Sequence, residues 1–407
     1  MKILITNAHN ENRGDEAANR ALIDELNSRY PNCQITLALR WGEPFPNLPK
    51  NVKVIRQYNP ISWKRRLEFW LIKTSHYKLV PSSLAKTYIN EVKSSDLVLH
   101  SPGGPSIGDI YYHDELGYID SYTIVKDLNK PYIFFAPSMG PFKKEERRKI
   151  RQEVLNGAEA VIVRDPVSKL YIKNFLPELQ VYQTLDSAFQ FDYSGEDNKK
   201  KFEEYKELRD FLNKRKKNIG ITITELEWHP VHSKNKELLN NIKNIMSEFI
   251  AYLKDKGYGV VFIPQLYGGS DDYNLMKKYM LDDSSFIVAA DEDKYDSYFQ
   301  QYLISRLYGM VGMRYHSNIF SAKVGTPFVS ISYEQKMAGF MEKMGISEYC
   351  LNISDLSYDC LIEKFELMIS NHDNYQKYLF DEHATMKAEA LKTMDIVSDY
   401  ISKHSIK

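Results

Sequence analysis

"MKILITNAHNENRGDEAANRALIDELNSRY", residues 1–30, is the stretch that decides the fold. It begins with the apolar strand pattern "KILIT", passes through a polar loop that contains Gly14, and continues as "DEAANRALIDELNSRY". In this last segment Ala18, Leu22, Ile23 and Leu26 recur at helical spacing. Because a buried strand followed by an amphipathic helix is the first half of a βαβ unit, the stretch predicts an α/β fold with a parallel sheet.

The same alternation of strand and helix patterns occurs twice along the chain. The first series continues with "CQITLAL", "VKVI", "DLVLHS", "YIFFAPS" and "AVIVRD", and the second contains "NIGITIT", "GYGVVFIPQ", "SSFIVAA", "YGMVGM" and "PFVSISY". We therefore predict two Rossmann-like domains that face a cleft. The predicted segments are a first domain (1–190), a charged connector (191–217), a second domain (218–356) and C-terminal helices (357–407), whose return onto the first domain is compatible with the pattern.

Length and composition agree with two domains and exclude several classes of function. The 407 residues exceed the roughly 250–300 at which a single core usually stops growing. The 54 basic and 54 acidic residues cancel, so the chain lacks the charge footprint of a nucleic-acid-binding protein. Three scattered cysteines fit a reducing compartment. With neither a signal-peptide pattern nor an apolar run of about 18 residues, we expect a cytoplasmic protein without a membrane span.

Residues 61–90 combine basic and aromatic side chains, and two interpretations are open. The favoured one is an amphipathic helix packed on the first domain. The other is a peripheral surface for a membrane or for a lipid-linked substrate.

Ligands of such folds bind at the carboxyl ends of the strands, and two polar loops there belong to the first domain. In "NAHNENRGDEAA", Gly14 permits close backbone approach and Asp15 is the expected N-cap of a helix that starts near it. Asn10, Asn12 and Asp15 either hold sugar hydroxyls or order the loop. In "LVLHSPGGPSIGD", Gly103 and Gly104 either present backbone N–H groups to an anion or a sugar, or meet the needs of a tight turn.

Two further strand ends carry cationic side chains. Arg164 follows the strand "AVIV" and is either paired with its neighbour Asp165 or directed into the cleft, where its planar guanidinium suits phosphate or carboxylate; we favour the cleft. In "YGMVGMRYHSNIFSAKV", Arg314 and His316 fall between a strand and the N-terminus of a helix. An isolated histidine is usually structural, but the nearby guanidinium and the helix N-terminus both favour an anion. With Lys336 after the next strand, they predict an anion site.

The run "GMRYHSNIFSAKVGTPFVSISYEQKMAGFMEKMG" resembles the signature of the polysaccharide pyruvyl transferase family, which is Arg-x-His-Ser, a helix, Gly-x-Pro, a strand and Tyr-x-x-Lys. The segments "NRGDEAA", "SMGPF", "VRDPVS", "TLDSAF" and "FIPQLYGGSDD" agree with it, as does the glycine loop with Gly108 and Asp109. The chain departs from the family pattern at Pro105, where a third glycine is common, and at Tyr315, where leucine is usual.

The resemblance implies transfer of a pyruvyl group from phosphoenolpyruvate to two hydroxyls of a sugar, giving a cyclic ketal in the precursor of a surface or secreted polysaccharide. His316 is the expected acid that protonates the vinyl carbon, since an imidazole with an ordinary pKa near ~6.5 can be protonated near neutrality. The implied donor-binding residues are Arg164, Arg314, Lys336, Ser317 and Tyr333, and Asp15 or Asp109 orients or deprotonates the acceptor hydroxyl. We expect phosphoenolpyruvate as co-substrate, no metal or other cofactor, and an acceptor sugar that is free, lipid-linked or nucleotide-linked.

Two other functions remain open. A GT-B glycosyltransferase would share this GT-B-like architecture and take a nucleotide-sugar donor, with Glu334 close to the place expected for a carboxylate that binds ribose hydroxyls. A catalytically silent relative would bind glycans or scaffold a biosynthetic complex.

Overall fold

The computed structural model describes residues 1–43, 45–104, 106–192, 195–267, 271–289 and 294–406. Pro105 of the glycine loop and residues 268–270 of "FIPQLYGGSDD" lie outside the described residues, as do residues 193 and 194 of the charged segment. The chain divides into two compact units. The first consists of Met1–Asn10, Ala18–Phe191 and Ala388–Lys407, and the second of Glu11–Ala17 and Asp192–Lys387.

The first unit contains a parallel sheet of seven described strands in the order β3-β2-β1-β4-β5-β6-β7. The strands are β1 (Lys2–His9), β2 (Gln34–Trp41), β3 (Val52–Arg56), β4 (Leu97–His100), β5 (Tyr132–Phe134), β6 (Ala160–Val163) and β7 (Val181–Gln183). The helices are α1 (Arg13–Arg29), α2 (Trp63–Thr74), α3 (Ser83–Ser94), α4 (Tyr112–Asp127), α5 (Arg148–Asn156) and α6 (Pro166–Phe175). This strand order is that of a Rossmann fold, and it reverses direction between β1 and β4.

The second unit repeats the arrangement with a parallel sheet of six described strands in the order β10-β9-β8-β11-β12-β13. The strands are β8 (Asn218–Thr222), β9 (Gly259–Phe262), β10 (Ser285–Ile287), β11 (Gly309–Gly312), β12 (Phe328–Ser332) and β13 (Cys350–Asn352). The helices are α7 (Gly195–Glu204), α8 (Lys206–Lys214), α9 (Lys236–Asp255), α10 (Asp272–Lys277), α11 (Ser297–Ile304), α12 (Tyr315–Val324), α13 (Gln335–Lys343), α14 (Tyr358–Ser370) and α15 (His372–Lys403). The prediction of two Rossmann-like domains is confirmed, and the order of the second sheet reverses between β8 and β11.

The near-continuous apolar strands are buried on both faces, as expected for parallel sheets covered by helices. In β1, for example, Ile3 and Ile5 belong to one apolar core and Leu4 to another. The end of the C-terminal helix contributes to the first of these cores, because Met394 and Val397 of α15 pack in the same cluster as Ile3 and Ile5. The last part of the chain thus returns to the first unit. Among the described residues, no helix combines the length and apolar character needed to cross a membrane.

The charged segment 191–217 is folded. Its two helices, α7 and α8, bury Phe202, Leu208 and Phe211, and the aromatic rings of Phe202 and Phe211 contact Tyr302 and Phe286 of the second unit. The charges therefore lie on the outer faces of two amphipathic helices.

Candidate functional site

The candidate site of the second unit begins where β8 and β11 end, at the reversal of the strand order. The hydroxyl of Thr222, at the end of β8, accepts a hydrogen bond from the backbone N–H of Arg314 (3.3 Å) and lies 2.9 Å from the Ser317 hydroxyl. The Ser317 hydroxyl in turn donates to the carbonyl of Arg314 (2.6 Å). These contacts fix the turn from β11 into α12. Ser317 is fully buried in this turn, and its donor-binding role stays a prediction.

Arg314 is buried and held by a carboxylate from the start of α10. Its Nε donates to Asp272 Oδ2 (3.1 Å) and its Nη2 pairs with Asp272 Oδ1. Asp272 also accepts the backbone N–H groups of Gln265 and Leu266, so it is fixed in its turn. Burial works to lower the pKa of Arg314, but Asp272 and Tyr333 raise it above its usual range. The guanidinium is therefore a permanent cation of fixed orientation at the carboxyl edge of the sheet.

His316 lies in the first turn of α12, and its imidazole fills the space beside a glycine that lies 302 positions earlier in the chain. A Cβ atom built on Gly14 would be 1.8 Å from Nδ1 of His316. Both residues belong to the second unit, because Glu11–Ala17 packs there. The two sequence motifs that contain them, "NRGDEAA" and "RYHS", therefore meet at this point. The glycine is required because any side chain would displace the imidazole.

The start of α1 differs from the prediction in its cap. The helix begins at Arg13, and the side-chain oxygen of Asn12 accepts the backbone N–H of Gly14 (2.7 Å), which makes Asn12 the N-cap. The prediction that Asp15 caps the helix is therefore wrong. Asp15 lies in the first turn and is partly exposed, next to Gly14, and its proposed work on the acceptor hydroxyl stays a prediction. The Asn10 side chain donates to the carbonyl of Glu43 (2.8 Å), so both asparagines order the loop.

Arg13 anchors this first turn and was not singled out from the sequence. Its backbone N–H donates to the carbonyl of Gln265 (2.8 Å), its guanidinium pairs with Glu16 (2.6 Å), and the group lies 4.7 Å from the ring centre of Tyr267. Arg13 and Glu16 are both buried in the second unit. The available signal was the i, i+3 spacing of opposite charges in "NRGDE".

Glu334 and Lys336 form a second, partly buried ion pair after β12. Lys336 Nζ lies 2.5 Å from one carboxylate oxygen of Glu334, and the Nε2 of His229 lies 3.2 Å from the other. Burial works to raise the pKa of Glu334, but Lys336 and the hydrogen bond from His229 lower it to about 2. Glu334 is therefore ionised at neutral pH. Lys336 already has a carboxylate partner, and its donor-binding role stays a prediction.

His229 and His232 complete this edge and were also missed. The backbone N–H of Val231 donates to Nδ1 of His229 (3.2 Å), which assigns the ring proton to Nε2, where it is donated to Glu334. The two imidazoles stack with ring centres 4.6 Å apart, and His232 Nε2 donates to the carbonyl of Tyr333 (3.1 Å). The available signal was the His-x-x-His spacing in the loop between β8 and α9. Tyr333 keeps its phenolic proton because burial, with Glu334 beside it, raises its pKa.

Arg164 of the first unit is paired, but not with its sequence neighbour. Its Nη1 lies 2.6 Å from Asp186 and its Nε donates to the Ser138 hydroxyl (3.0 Å), and the guanidinium is almost completely buried. Asp165 instead caps α6 by accepting the N–H of Ser168 (2.7 Å). The salt bridge that the sequence left open is thus present with a different partner, and the donor-binding role of Arg164 stays a prediction.

The glycine loop packs tightly against the segment that contains "SMGPF". Gly104 has a φ of +97°, and a Cβ there would lie 2.6 Å from the backbone nitrogen of Ser106. The carbonyl of Gly103 accepts the N–H of Ser138 (2.9 Å), and Gly140 donates to the carbonyl of Ile107 (2.7 Å). The tight-turn interpretation therefore explains Gly103 and Gly104.

Asp109, at the end of this loop, holds the backbone that follows. One carboxylate oxygen lies 2.7 Å from Arg151 Nη2, and the other accepts the backbone N–H groups of Lys143 (2.6 Å) and Lys144 (3.1 Å). Both oxygens thus serve the local structure, and the role of Asp109 as acceptor base stays a prediction.

The corresponding edge of the first sheet contains uncharged histidines. His9 lies 2.8 Å from the Tyr118 hydroxyl, and His100 lies 2.6 Å from the Tyr122 hydroxyl. Burial, with the nearby charge of Arg40, lowers the pKa of each histidine to about 3. The Arg40 guanidinium is stacked on Trp41 and Tyr118, at 4.1 and 3.7 Å from the ring centres. This edge therefore has neutral imidazoles at neutral pH.

The family described as polysaccharide pyruvyl transferase matches residues 12–335, which include the Gly14 and His316 motifs. The chain belongs to the polysaccharide pyruvyl transferase family. Among curated relatives, it is 23% identical over 408 residues to the amylovoran biosynthesis protein AmsJ of Erwinia amylovora, covering 93% of this chain and 94% of the relative. These two matches support a pyruvyltransferase role in polysaccharide synthesis.

Several solved structures share this fold at low sequence identity. The S. aureus MnaA-UDP co-structure has a TM-score of 0.62 at 11% identity, covering 100% of this chain and 98% of that one. A ugt transferase from Siraitia grosvenorii in complex with UDP has a TM-score of 0.57 at 10% identity, with coverage of 98% and 99%. UDP-GlcNAc 2-epimerase from Neisseria meningitidis, bound to UDP-GlcNAc, has a TM-score of 0.55 at 13% identity, covering 99% of this chain and 100% of that one. At these identities the likeness concerns the fold alone.

The second-unit edge of this pyruvyl transferase relative combines a guanidinium paired with Asp272, an imidazole at a helix N-terminus and a lysine paired with Glu334. The anion site predicted at this edge stays a prediction. Within the described ranges, no group of three or more His, Cys, Asp or Glu side chains is arranged to hold a metal ion.

Proposed function

We propose that this protein transfers a pyruvyl group from phosphoenolpyruvate to two hydroxyls of a sugar, forming a cyclic ketal in a polysaccharide precursor. The observation that carries the proposal is the contact between Gly14 and His316, which joins two family motifs beside Arg314. A small donor with a carboxylate and a phosphate needs several cations. In the second unit, Arg314 and Lys336 supply fixed positive charge, and Ser317 and Tyr333 supply hydroxyls at the same sheet edge.

In the proposed reaction, His316 donates a proton to the vinyl CH₂ carbon of the donor, which makes C2 electrophilic. One sugar hydroxyl adds to C2 and gives its proton to the acceptor base, from which it returns to His316. A second hydroxyl then displaces phosphate from C2: the C–O bond to phosphate breaks with its electrons on phosphate, the proton of the second hydroxyl leaves with the phosphate, and the ketal closes. No redox partner or metal takes part in this scheme. Helix α12 directs its N-terminal N–H groups and positive dipole end toward the donor anion, which favours binding of the dianion.

Asp15 is our choice for the group that orients or deprotonates the acceptor hydroxyl. It is partly exposed in the first turn of α1, and its neighbour Gly14 contacts His316. Asp109 is the other candidate, and Arg151 and two backbone N–H groups contact its oxygens. Replacement of each carboxylate by its amide separates the two: Asp15→Asn should reduce turnover of the acceptor, whereas Asp109→Asn should mainly reduce stability.

The direct test is an assay of the purified chain with phosphoenolpyruvate and a panel of free, nucleotide-linked and lipid-linked sugars. We expect phosphate release together with a mass gain equal to one pyruvyl ketal. In D₂O the ketal methyl group should carry one deuteron, since the proton on C3 comes from an exchangeable acid. Formation of a glycosidic bond from a nucleotide sugar, without consumption of phosphoenolpyruvate, would contradict the proposal.

A nucleotide-sugar transferase is the second candidate, because the fold neighbours described above include proteins in complex with UDP or UDP-GlcNAc. Its ribose would need a carboxylate, and Glu334 is the nearest choice. Both oxygens of Glu334 are already paired, with Lys336 and His229. A ribose would have to compete with these partners, which favours the pyruvyl donor over a nucleotide sugar. Thermal shift separates the candidates: phosphoenolpyruvate stabilises a pyruvyl transferase, a nucleotide sugar stabilises a glycosyltransferase, and neither stabilises a silent glycan-binding relative.

Arg164 is proposed as a further donor ligand, to be tested on its own. Arg164→Ala should weaken phosphoenolpyruvate binding, with charge-assisted contacts worth about 1.5–3 kcal/mol each. Arg164→Lys keeps a positive charge for the pair with Asp186 but lacks the planar guanidinium. Weaker donor binding by a folded lysine variant would therefore indicate a lost donor contact rather than a lost Asp186 pair.

In the scheme we propose, the acceptor precursor and phosphoenolpyruvate are both cytoplasmic metabolites.

A further inference from the structure

Helix α2 of the first unit carries apolar side chains on two opposite faces. On the inner face, Phe69 and Ile72 are buried in the core cluster that also contains Tyr58. On the outer face, Trp63, Leu67 and Trp70 are 72%, 53% and 59% exposed. Because these three residues follow i, i+4, i+7 spacing, they form one continuous stripe along the helix.

The exposed apolar side chains of the molecule are concentrated here. Of the twelve large apolar side chains exposed in the described part of the chain, five lie between residues 61 and 79: the three of the stripe, Ile61 just before α2 and Leu79 after its end. Single exposed apolar residues are ordinary on a protein surface, but a contiguous group marks a contact surface. We call Trp63, Leu67 and Trp70 the outer stripe.

Basic residues flank the outer stripe. Residues 61–90 contain six lysines and arginines and a single acidic residue, Glu68, although the whole chain has no net charge. Lys64 and Lys73 lie on opposite sides of the stripe by helical geometry, and both are exposed, with Lys73 Nζ 3.8 Å from Asp127 at the surface. Glu68 is turned toward the fold, where it accepts hydrogen bonds from the backbone N–H of Ser82 (2.9 Å) and the hydroxyl of Tyr58 (3.2 Å). The outer surface of α2 is therefore apolar and cationic.

We propose that α2 docks this protein on the surface of an anionic lipid bilayer, with the outer stripe in the headgroup region. Tryptophan favours the membrane–water interface, and basic residues that flank an apolar helix face attract anionic lipids. A second copy of the chain fits this surface less well, since a twofold contact would bring the basic flanks together. The proposal does not depend on the donor chemistry.

Helix α2 lies near the edge of the first sheet at which ligands are expected to bind. Strand β3 ends at Arg56 and α2 begins at Trp63, so the helix leaves the carboxyl edge of the first sheet, where ligands of this fold bind. A bilayer held at α2 therefore lies near the edge at which a lipid-linked sugar would be presented.

The test is co-sedimentation of the full chain with vesicles at low salt. We expect binding to phosphatidylcholine vesicles that contain about 30 mol % phosphatidylglycerol, and much weaker binding to pure phosphatidylcholine. Trp63→Ser with Trp70→Ser should lower the partition at least about tenfold, as expected for loss of two buried apolar side chains. Lys64→Gln and Lys73→Gln should each lower it about fivefold, with anionic vesicles only.

Leu170→Ser is the matched control, because Leu170 of α6 is 58% exposed but lies outside the outer stripe. It should leave vesicle binding unchanged, and circular dichroism should show that every variant is folded. Failure of the unmodified chain to sediment with anionic vesicles would overturn the proposal, as would equal binding by the double tryptophan variant. A shift from dimer to monomer in that variant, seen by sedimentation velocity without vesicles, would assign the stripe to a second copy instead.

Discussion

At the reversal of strand order, the first sheet places His100 among the side chains of Asn7 and Tyr122, whereas the second sheet places Arg314 beside Asp272. The two sheets have the same strand order over six positions, so topology does not explain the difference. In the first unit, His9 and His100 beside this reversal make neutral hydrogen bonds with Asn7, Tyr118 and Tyr122. In the second unit, Arg314 forms an ion pair with Asp272 beside the N-terminus of α12. The predicted anion would rely on that helix N-terminus as well as on the guanidinium.

Two units with the same strand order can thus hold buried ionisable groups in different charge states. Buried histidines of the first unit lose their charge because burial lowers their pKa to about 3. The buried carboxylate Glu334 of the second unit keeps its charge because Lys336 and His229 offset the cost of burial. We therefore expect substitutions in the second edge to change donor chemistry. Substitutions in the first edge, apart from those of Arg164, should change stability or the acceptor.

The largest effect should come from His316→Gln, which retains a hydrogen-bond donor but cannot deliver a proton. If His316 is the acid, kcat should fall by about 10²–10⁴-fold while donor affinity changes much less, since the lost interaction develops in the transition state. Steady-state kinetics with calorimetric titration of phosphoenolpyruvate measure both quantities. The matched control is His113→Gln, at an exposed position of α4. Substantial turnover by His316→Gln would move the acid function to another group.

Asp272→Asn tests whether the second edge depends on its ion pair. The change leaves Arg314 buried without its carboxylate, and breaking a buried pair from one side costs about 3–5 kcal/mol. The free energy of unfolding in urea should fall by that amount, with hydrogen exchange showing the loss in β8 and β11. Asp283→Asn serves as control, because Asp283 is an exposed partner of Arg215 and should cost less than about 1 kcal/mol. A small effect of Asp272→Asn would mean that the pair is not needed to hold Arg314.

Gly14→Ala tests the contact that joins the two motifs. The new methyl group needs the space of the His316 imidazole, so the ring must move and kcat should fall by about 10- to 100-fold, while overpacking costs about 1–3 kcal/mol of stability. Gly195→Ala is the control, because nothing lies within 4 Å of a Cβ at that position. Wild-type activity of the Gly14 variant would show that the position of the imidazole is not critical.

The smallest effect is a difference in acid sensitivity between the units. The pKa of His9 and His100 is lowered to about 3, so the unfolded chain binds more protons below about pH 6.5 and the first unit loses stability as the pH falls. Asp120 acts in the opposite direction, because burial raises its pKa to about 6 despite Arg66. Each group changes the free energy of unfolding by about 1.4 kcal/mol per pH unit, so the first unit should lose about 2 kcal/mol of stability in total between pH 6.5 and 5.

Over the same pH range, Glu334 should make no change to the stability of the second edge. Its pKa is lowered to about 2, so its contribution to the free energy of unfolding is lost only below about pH 4.5. Hydrogen exchange at pH 6.5 and 5, corrected for the intrinsic exchange rate, compares β1 and β4 with β12 directly. Equal loss of protection in the two sheets would contradict the assigned difference between the edges.

Much of the fold could be predicted from the sequence because its signals are local. Apolar strand runs and helical spacing gave both Rossmann halves, and the glycine of the Gly-x-Pro motif, Gly325, ends α12 with a φ of +74°. The motifs also located Arg314 and His316 at a strand end. The cap of α1 was assigned to Asp15 because Asp is a good capping residue, but Asn12 precedes the first helical residue and has the bond.

The partners of charged residues could not be predicted, because they come from distant parts of the chain. Arg164 pairs with Asp186 rather than with Asp165, which is occupied as a helix cap. His229 reaches Glu334, 105 positions away, only because β8 and β12 end at the same edge of the sheet. Such pairings depend on strand order and on which neighbour is already engaged, and neither is encoded in local spacing.

The return of α15 to the first unit has a consequence for synthesis on the ribosome. Met394, Val397 and Ile401 complete the core around Ile3 and Ile5, yet they are translated only after the whole of Asp192–Lys387. The first unit must therefore wait with part of its core uncovered while the second is made, although domains commonly fold in the order in which they emerge. A premature stop before Ala388 should thus damage the half of the molecule that was translated first.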